Sequence, residues 1–427
     1  MKRKKKLFFA FDHHHFIEKL VHWLFLHEHF SLFNGNHYRY PFGPFHTFAA
    51  AGSVHTFNKF DQDPFQELID FHENHRDWLV GRFSYDLKNY IETLTSSNTD
   101  RLNSTDIYFF VPTTLIFLHT GHIEIQSFID PDRIWAEIQT IQLNKGEHHL
   151  DHLRSDMKAE DYIKKVTQIK TQIIEGDFYE VNFCIEYYYD KARIHPPGIY
   201  NRLNSISPMP FSVFQGLDQD YILSASPERF LKKSGRTLIA QPIKGTMRRD
   251  PDPVIDESLK KELEESEKEI AENMMIVDLM RNDLAKSALP GTVKVPELFR
   301  VYSFPLLHQM ISTITCELKN DTHPVKAIKH TFPMGSMTGA PKIRAMQEIE
   351  KYESSKRGTF SGATGYFSPD GDFDFNVLIR SIFYNKNSSC LKFNVGSAIT
   401  YDADPEYEYM ECQLKAKAII EALKPSG

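Results

Sequence analysis

Apolar positions recur at two periods along this chain. Between residues 161 and 175, Tyr162, Val166, Ile169 and Ile173 fall at helical spacing, and Gly176 follows as a stop. A longer helix is predicted over 256–286, with Leu259, Leu263, Ile270, Met274 and Val277 along one side. Runs rich in Val, Ile, Phe and Tyr predict strands at 108–117, 122–128, 179–189, 211–214, 221–224, 229–233 and 237–243. Residues 78–86 read as a strand entering a turn. Strands and helices come in runs, not in alternation, so the predicted fold class is α+β with large antiparallel β-sheets flanked by helices. The polar stretch 144–157 marks a boundary, predicting an N-terminal subdomain over 1–150 and a larger domain over 151–427.

Composition narrows the classes of function. With 427 residues, 41% hydrophobic and 25% charged, the chain is an ordinary globular protein, long enough for one composite domain or two smaller ones. A net charge of −7 gives no electrostatic reason for a nucleic-acid or anionic-membrane partner. There is no run of about 18 apolar residues to span a bilayer, and 7–11 is too short for a signal-peptide core; a cytoplasmic protein is expected. The basic run Lys2 to Lys6 is expected to be a frayed end. His13, His14 and His15 are adjacent and cannot all face one metal on a helix or strand. Cys184, Cys316, Cys390 and Cys412 show no C-x-x-C spacing and no glycine-flanked elbow, so neither a zinc knuckle nor an activated thiol is predicted.

Several positions are suited to chemistry. Lys244 lies in Gln241-Pro242-Ile243-Lys244-Gly245-Thr246, between a β-branched residue and a glycine. There it is either an edge-strand lysine snorkelling to water or a buried amine whose pKa falls and whose lone pair becomes nucleophilic. Glu269 and Glu272 are three apart within the predicted helix and share a face. Asp404 fits an N-cap and Pro405 a first helical position, and Glu408, Glu411 and Lys415 then lie within about 60° of arc on one stripe. These four carboxylates are two solvated helix faces or, with no His or Cys at ligand spacing, a site for a hard cation such as Mg²⁺. The loop from Gly335 through Ser336 to Lys342 enters a helix, where free N–H groups favour an anion. Arg380 follows an apolar run and is placed to clamp a carboxylate or to pair with a protein acid. Glu228, after a strand, is a turn residue or an acid of raised pKa. His308, isolated on an apolar segment, reads as a core histidine.

Taken in order, these motifs resemble a known family. Ser226-Pro227-Glu228-Arg229-Phe230, Pro242-Ile243-Lys244-Gly245-Thr246, the run from Ala271 to Leu284, Val293 to Phe299, the Gly335 to Lys342 loop and Asp404-Pro405-Glu406-Tyr407-Glu408 are similar to those of the chorismate-utilising enzymes. That family holds the anthranilate, aminodeoxychorismate and isochorismate synthases. The resemblance covers about 155–425 and is weak in the N-terminal third. It implies an anthranilate synthase component I-like fold, two large antiparallel β-sheets packed together and flanked by helices, with the chorismate-binding catalytic domain in 151–427.

Within the family, lysine at position 244 resembles the aminodeoxychorismate synthase component I branch, where anthranilate synthases usually carry alanine. Two absences agree: Glu180 stands where isochorismate-type members carry a lysine, and no Leu-Leu-Glu-Ser motif is present. The resemblance implies that Lys244 attacks chorismate, that Glu228 is the general acid and that His308 matches a histidine anthranilate synthases use later. It implies Mg²⁺ on Glu272 and Glu411, with Glu269 and Glu408 on its water. Arg380, Lys415, Gly245, Ser336, Gly396 and Phe360 would bind substrate. A separate glutamine amidotransferase subunit would supply ammonia. Anthranilate synthase component I and a catalytically silent subunit stay open as alternatives.

Overall fold

The computed structural model describes residues 3–424 except Ala10, Lys145 and Leu306. The N-terminal portion runs β1 (Lys4–Phe9), α1 (His13–Leu24), β2 (His29–Asn34), β3 (Phe48–Phe57), α2 (Pro64–His75), β4 (Leu79–Phe83), β5 (Ile107–His119), β6 (His122–Ser127) and α3 (Pro131–Thr140). After a connector come β7 (Arg154–Ser155), α4 (Ala159–Ile174), β8 (Glu180–Tyr189), α5 (Pro196–Ile206), β9 (Phe211–Leu217), β10 (Asp220–Ser226), β11 (Arg229–Ser234), β12 (Thr237–Gln241) and β13 (Ile243–Arg248). Helices α6 (Pro253–Glu265) and α7 (Glu267–Ala285) precede β14 (Lys294–Ser303), β15 (Leu307–Glu317), α8 (Pro324–Thr331), β16 (Gly339–Ala340) and α9 (Lys342–Tyr352). The chain ends with β17 (Ala363–Phe367), β18 (Phe373–Asn376), β19 (Ser381–Asn385), β20 (Cys390–Ile399) and α10 (Pro405–Leu423).

The strands form two antiparallel arms joined at β5. One arm runs β5-β3-β2-β9-β10-β19-β20-β8. The other runs β5-β4-β17-β18-β11-β12-β15, with β13 and β14 also on β15. A core cluster draws from both arms, with Ile222, Phe383 and Cys184 from one and Leu231, Ile314 and Phe375 from the other, so the arms pack on each other. A second core lies between the first arm and helices α1, α3, α4, α5 and α10. Burying these faces is the main favourable term holding the arms together. Strands from both sides of 144–157 pair directly, β2 with β9 and β4 with β17.

Three local expectations are corrected. The predicted helix over 256–286 breaks at Ser266, which ends α6 and caps α7 through its side chain on the Glu269 N–H; Ser266-x-x-Glu269 is a capping-box spacing. The predicted strand 237–243 breaks at Pro242, which has no N–H for the ladder. The basic N-terminus is not frayed from Lys4 onward: Lys4–Phe9 pairs with β6, and Lys6 bonds Asp132 at 2.6 Å. An edge strand accepts lysine because its side chain reaches water. Lys2 lies outside the described residues. Among the described residues no helix is long and apolar enough to cross a membrane.

Candidate active site

The break at Pro242 aims Lys244. Between Ile243 and Thr246 the β13–β15 register shifts, opposing Ile311 and Gln309, so the bulge falls at Lys244-Gly245. Gly245 has φ +86°, and a Cβ there would lie 2.9 Å from Leu263 Cδ1 and 3.1 Å from Glu269 Oε2. Glycine is required twice over, by its dihedral and by close approach to α6 and α7.

Lys244 is 9% exposed, and its ammonium is ringed by acids. Nζ donates to Glu180 Oε1 at 2.6 Å and lies 3.9 Å from Glu272 Oε2. Burial alone would lower the lysine's pKa; Glu180, Glu272 and Glu228 overcome it, and the net direction is up. The direction is opposite to the lowered pKa expected of Lys244 on the buried-amine reading, because the neighbouring carboxylates favour the ammonium. Glu180 is itself fully buried, and its second oxygen has no partner.

Glu228 sits in the β10–β11 turn facing the same space. Burial pushes its carboxyl up to about 7, against the opposing pull of the Ser336 hydroxyl, Lys244, the Ile243 N–H and Arg380. Arg380 stands just before β19 with φ +50°, a costly angle for a side chain of its size. Burial lowers its pKa, and the nearby acids Glu228 and Glu411 and the phenol of Tyr38 only partly offset this. None of the described hydrogen bonds or ion pairs engages its guanidinium. A half-buried cation left open is suited to an incoming carboxylate.

The four predicted metal ligands converge from α7 and α10. Lys268 Nζ lies 3.3 Å from Glu408 and 4.0 Å from Glu272, and Glu411 pairs with Lys415 at 2.5 Å. Burial raises Glu272 to about 7 and also raises Glu269 and Glu408; at Glu411 burial is outweighed by Lys415, Lys268 and the Glu408 hydrogen bond together, and the net direction is down. Glu272 Oε1 is buried without a hydrogen-bond partner. An all-carboxylate donor set with an orphaned oxygen fits a hard cation. Among the described residues, no three of these carboxylates bring oxygens within 4.8 Å of one another. Lys415 Nζ also donates to Gly396 O at 3.0 Å, and a Cβ on Gly396 would meet Cys184 Sγ at 2.4 Å.

Residues 28–421 match the family described as chorismate binding enzyme. The chain belongs to the chorismate-binding enzyme family. Aminodeoxychorismate synthase component 1 of Escherichia coli K12 is 34% identical over 350 residues, covering 81% of this chain and 76% of that protein. Anthranilate synthase component 1 of Thermus thermophilus is 33% identical over 359 residues, covering 81% and 77%. Among solved structures, anthranilate synthase component I from Streptococcus pneumoniae has a TM-score of 0.77 at 24% identity over 90% of this chain and 95% of that one. The menaquinone-specific isochorismate synthase MenF of Escherichia coli has 0.75 at 17% identity, over 99% and 95%. These likenesses bear out the α+β, anthranilate synthase component I-like fold.

Other predicted family positions are placed less simply. The Gly335 to Lys342 loop presents Ser336 to Glu228, but Lys342 is engaged by Asp283 and by the Thr331 and Pro333 carbonyls. His308 is 1% exposed, with Nδ1 on Ser303 at 2.9 Å and Nε2 on Asp256 at 3.1 Å. Both ring nitrogens are engaged away from Lys244. Phe360 is buried in the core between the arms, its ring 5.9 Å from the Arg357 guanidinium carbon. Two participants escape a reading of the sequence: Glu180 as the partner of Lys244, and Lys268 as the cation among the acids. Glu180 and Glu186 are the only acids in the mostly apolar and aromatic β8, a visible signal that buried carboxylates there need partners.

Proposed function

We propose that this chain is an aminodeoxychorismate synthase component, converting chorismate and ammonia to 4-amino-4-deoxychorismate. The observation that carries this is one buried lysine, Lys244, beside Glu180, Glu272 and Glu228, with Arg380 on the far side of Glu228. Identity alone does not separate the aminodeoxychorismate and anthranilate relatives, at 34% and 33%. The lysine does, because it offers a nucleophile where that branch needs one.

Arg380 and Lys415 receive the substrate's two carboxylates. Glu272 and Glu411 would hold Mg²⁺, with Glu269 and Glu408 on its water; bound there, it supplies Lewis-acid polarisation of the ring carboxylate. Lys244 sheds a proton before attack, and Glu180 is the nearest acceptor, at 2.6 Å. The amine bonds to C2, both conjugated ring double bonds shift toward C4, and the 4-hydroxyl leaves as water with the proton of Glu228. Ammonia then bonds to C4, the double bonds shift back, the C2–N bond breaks with its electron pair going to Lys244, and the proton lost by the added ammonia balances the one the lysine takes up. Ser336 orients Glu228, the Gly245 bulge aims Lys244, and Gly396 lets β8 pack closely while its carbonyl accepts from Lys415.

Ammonia comes from a separate glutamine amidotransferase subunit. All four thiols are buried, and burial raises Cys316 to about 12 and Cys390 to about 11, so neither is a ready thiolate. The setting is cytoplasmic para-aminobenzoate and folate synthesis. The test is to incubate the pure chain with chorismate, Mg²⁺ and ammonium and weigh the product. Retention of the enolpyruvyl group supports the proposal. Its loss identifies an anthranilate synthase, and unchanged chorismate a silent subunit.

A further inference from the structure

Away from that cavity, the β5–β6 hairpin gathers a different donor set. His119 and His122 are directly paired across the two-residue turn Thr120-Gly121, with Gly121 at φ +88°. Glu124 follows two residues along β6, so it shares the face of His122. One ligand atom from each of the three residues lies within 4.8 Å of the others. The imidazoles stack with centroids 4.5 Å apart, and His119 Nε2 is 4.0 Å from Glu124 Oε2.

The carboxylate is positioned and not merely nearby. Glu124 is 9% exposed. Its Oε1 accepts from Gln126 Nε2 at 2.5 Å, which leaves Oε2 turned to the histidines. That oxygen already holds a cation, the Lys5 ammonium at 2.7 Å from the neighbouring edge strand. Lys5 is 58% exposed, so its pair with Glu124 is screened by water and easily displaced.

We propose that His119, His122 and Glu124 form a binding site for Zn²⁺, separate from the carboxylate site at Glu272 and Glu411. Two imidazoles and one carboxylate suit a borderline cation and not Mg²⁺ or Ca²⁺. Small turns of the two rings bring the donors to bonding distance on a backbone already fixed by the hairpin. Gln126 plays the outer part, holding the ligating carboxylate. Zn²⁺ replaces the Lys5 ammonium, and the remaining coordination position opens to solvent.

The test uses the full chain in excess Mg²⁺, titrated with Zn²⁺ against a chromophoric chelator. One equivalent should bind. His122→Ala and Glu124→Gln should each weaken it by about tenfold or more. Lys5→Ala should tighten it, because the competing ammonium is gone, and Glu272→Gln should leave it unchanged. Co²⁺ in place of Zn²⁺ should give a visible absorption band that His119→Ala alters. No uptake by the full chain, uptake insensitive to His122→Ala and Glu124→Gln, or uptake lost with Glu272→Gln would each overturn the proposal.

Discussion

Replacing Glu228 by Gln should stabilise the ligand-free protein at alkaline pH while removing the proposed general acid. Glu228 is buried, and its carboxyl is raised from 4.5 to about 7. The folded state therefore keeps a proton that the unfolded state gives up, and stability falls as pH rises from 4.5 to about 7, then levels off. That difference corresponds to about 3 kcal/mol lost by wild type across the window. Lys244 on β13, Arg380 before β19, Ser336 and Tyr40 face the carboxylate, and none of them removes the net upward direction. Gln keeps the shape and has no proton to lose. Urea unfolding of both proteins at pH 4.5, 6 and 8 measures the effect. The Gln variant should gain steadily on wild type, by about 3 kcal/mol at pH 8 relative to pH 4.5. A difference that stays constant with pH refutes the claim that Glu228 is held protonated. In turnover, with free ammonia held constant, wild-type kcat/KM should fall above about pH 7 as Glu228 loses its proton.

Three further outcomes are expected. Arg380→Ala should raise KM for chorismate by about 30-fold or more, as removing one partner of a buried charged contact costs about 2–5 kcal/mol; steady-state kinetics check it. Gly245→Ala should destabilise by about 1–3 kcal/mol and lower activity, because of the positive φ and the Leu263 and Glu269 atoms in the way; denaturant midpoints and a turnover assay measure both. The isolated chain should release no glutamate from glutamine, since all four thiols are buried; release abolished by alkylating one of them would contradict this.

Much of the cavity could be read along the chain because its parts are locally marked. Asp404 and Pro405 announce α10 and so the stripe of Glu408, Glu411 and Lys415, and the succession of strand-like runs gives the α+β class. What could not be read depends on contacts between distant segments. Burial of Lys244 points its pKa down, but β8 brings Glu180 across from 64 residues away, and the direction reverses. The fate of Lys342 likewise depends on Asp283, which no spacing rule connects to it. Lys4–Phe9 looks like a charged tail until β6 supplies a partner edge. The break at Ser266 was legible in Ser266-x-x-Glu269, and apolar periodicity running through both helices concealed it.

The central claim is that Lys244 bonds covalently to chorismate. Its most direct test is intact-protein and peptide mass spectrometry after exposure to chorismate and Mg²⁺ without ammonia, on wild type and Lys244→Ala. Wild type should carry an adduct of chorismate less water on the peptide holding Lys244, and Lys244→Ala should carry none and make no 4-amino-4-deoxychorismate when ammonium is added. Normal formation of that product by Lys244→Ala would contradict the account, because ammonia would then be attacking C4 directly.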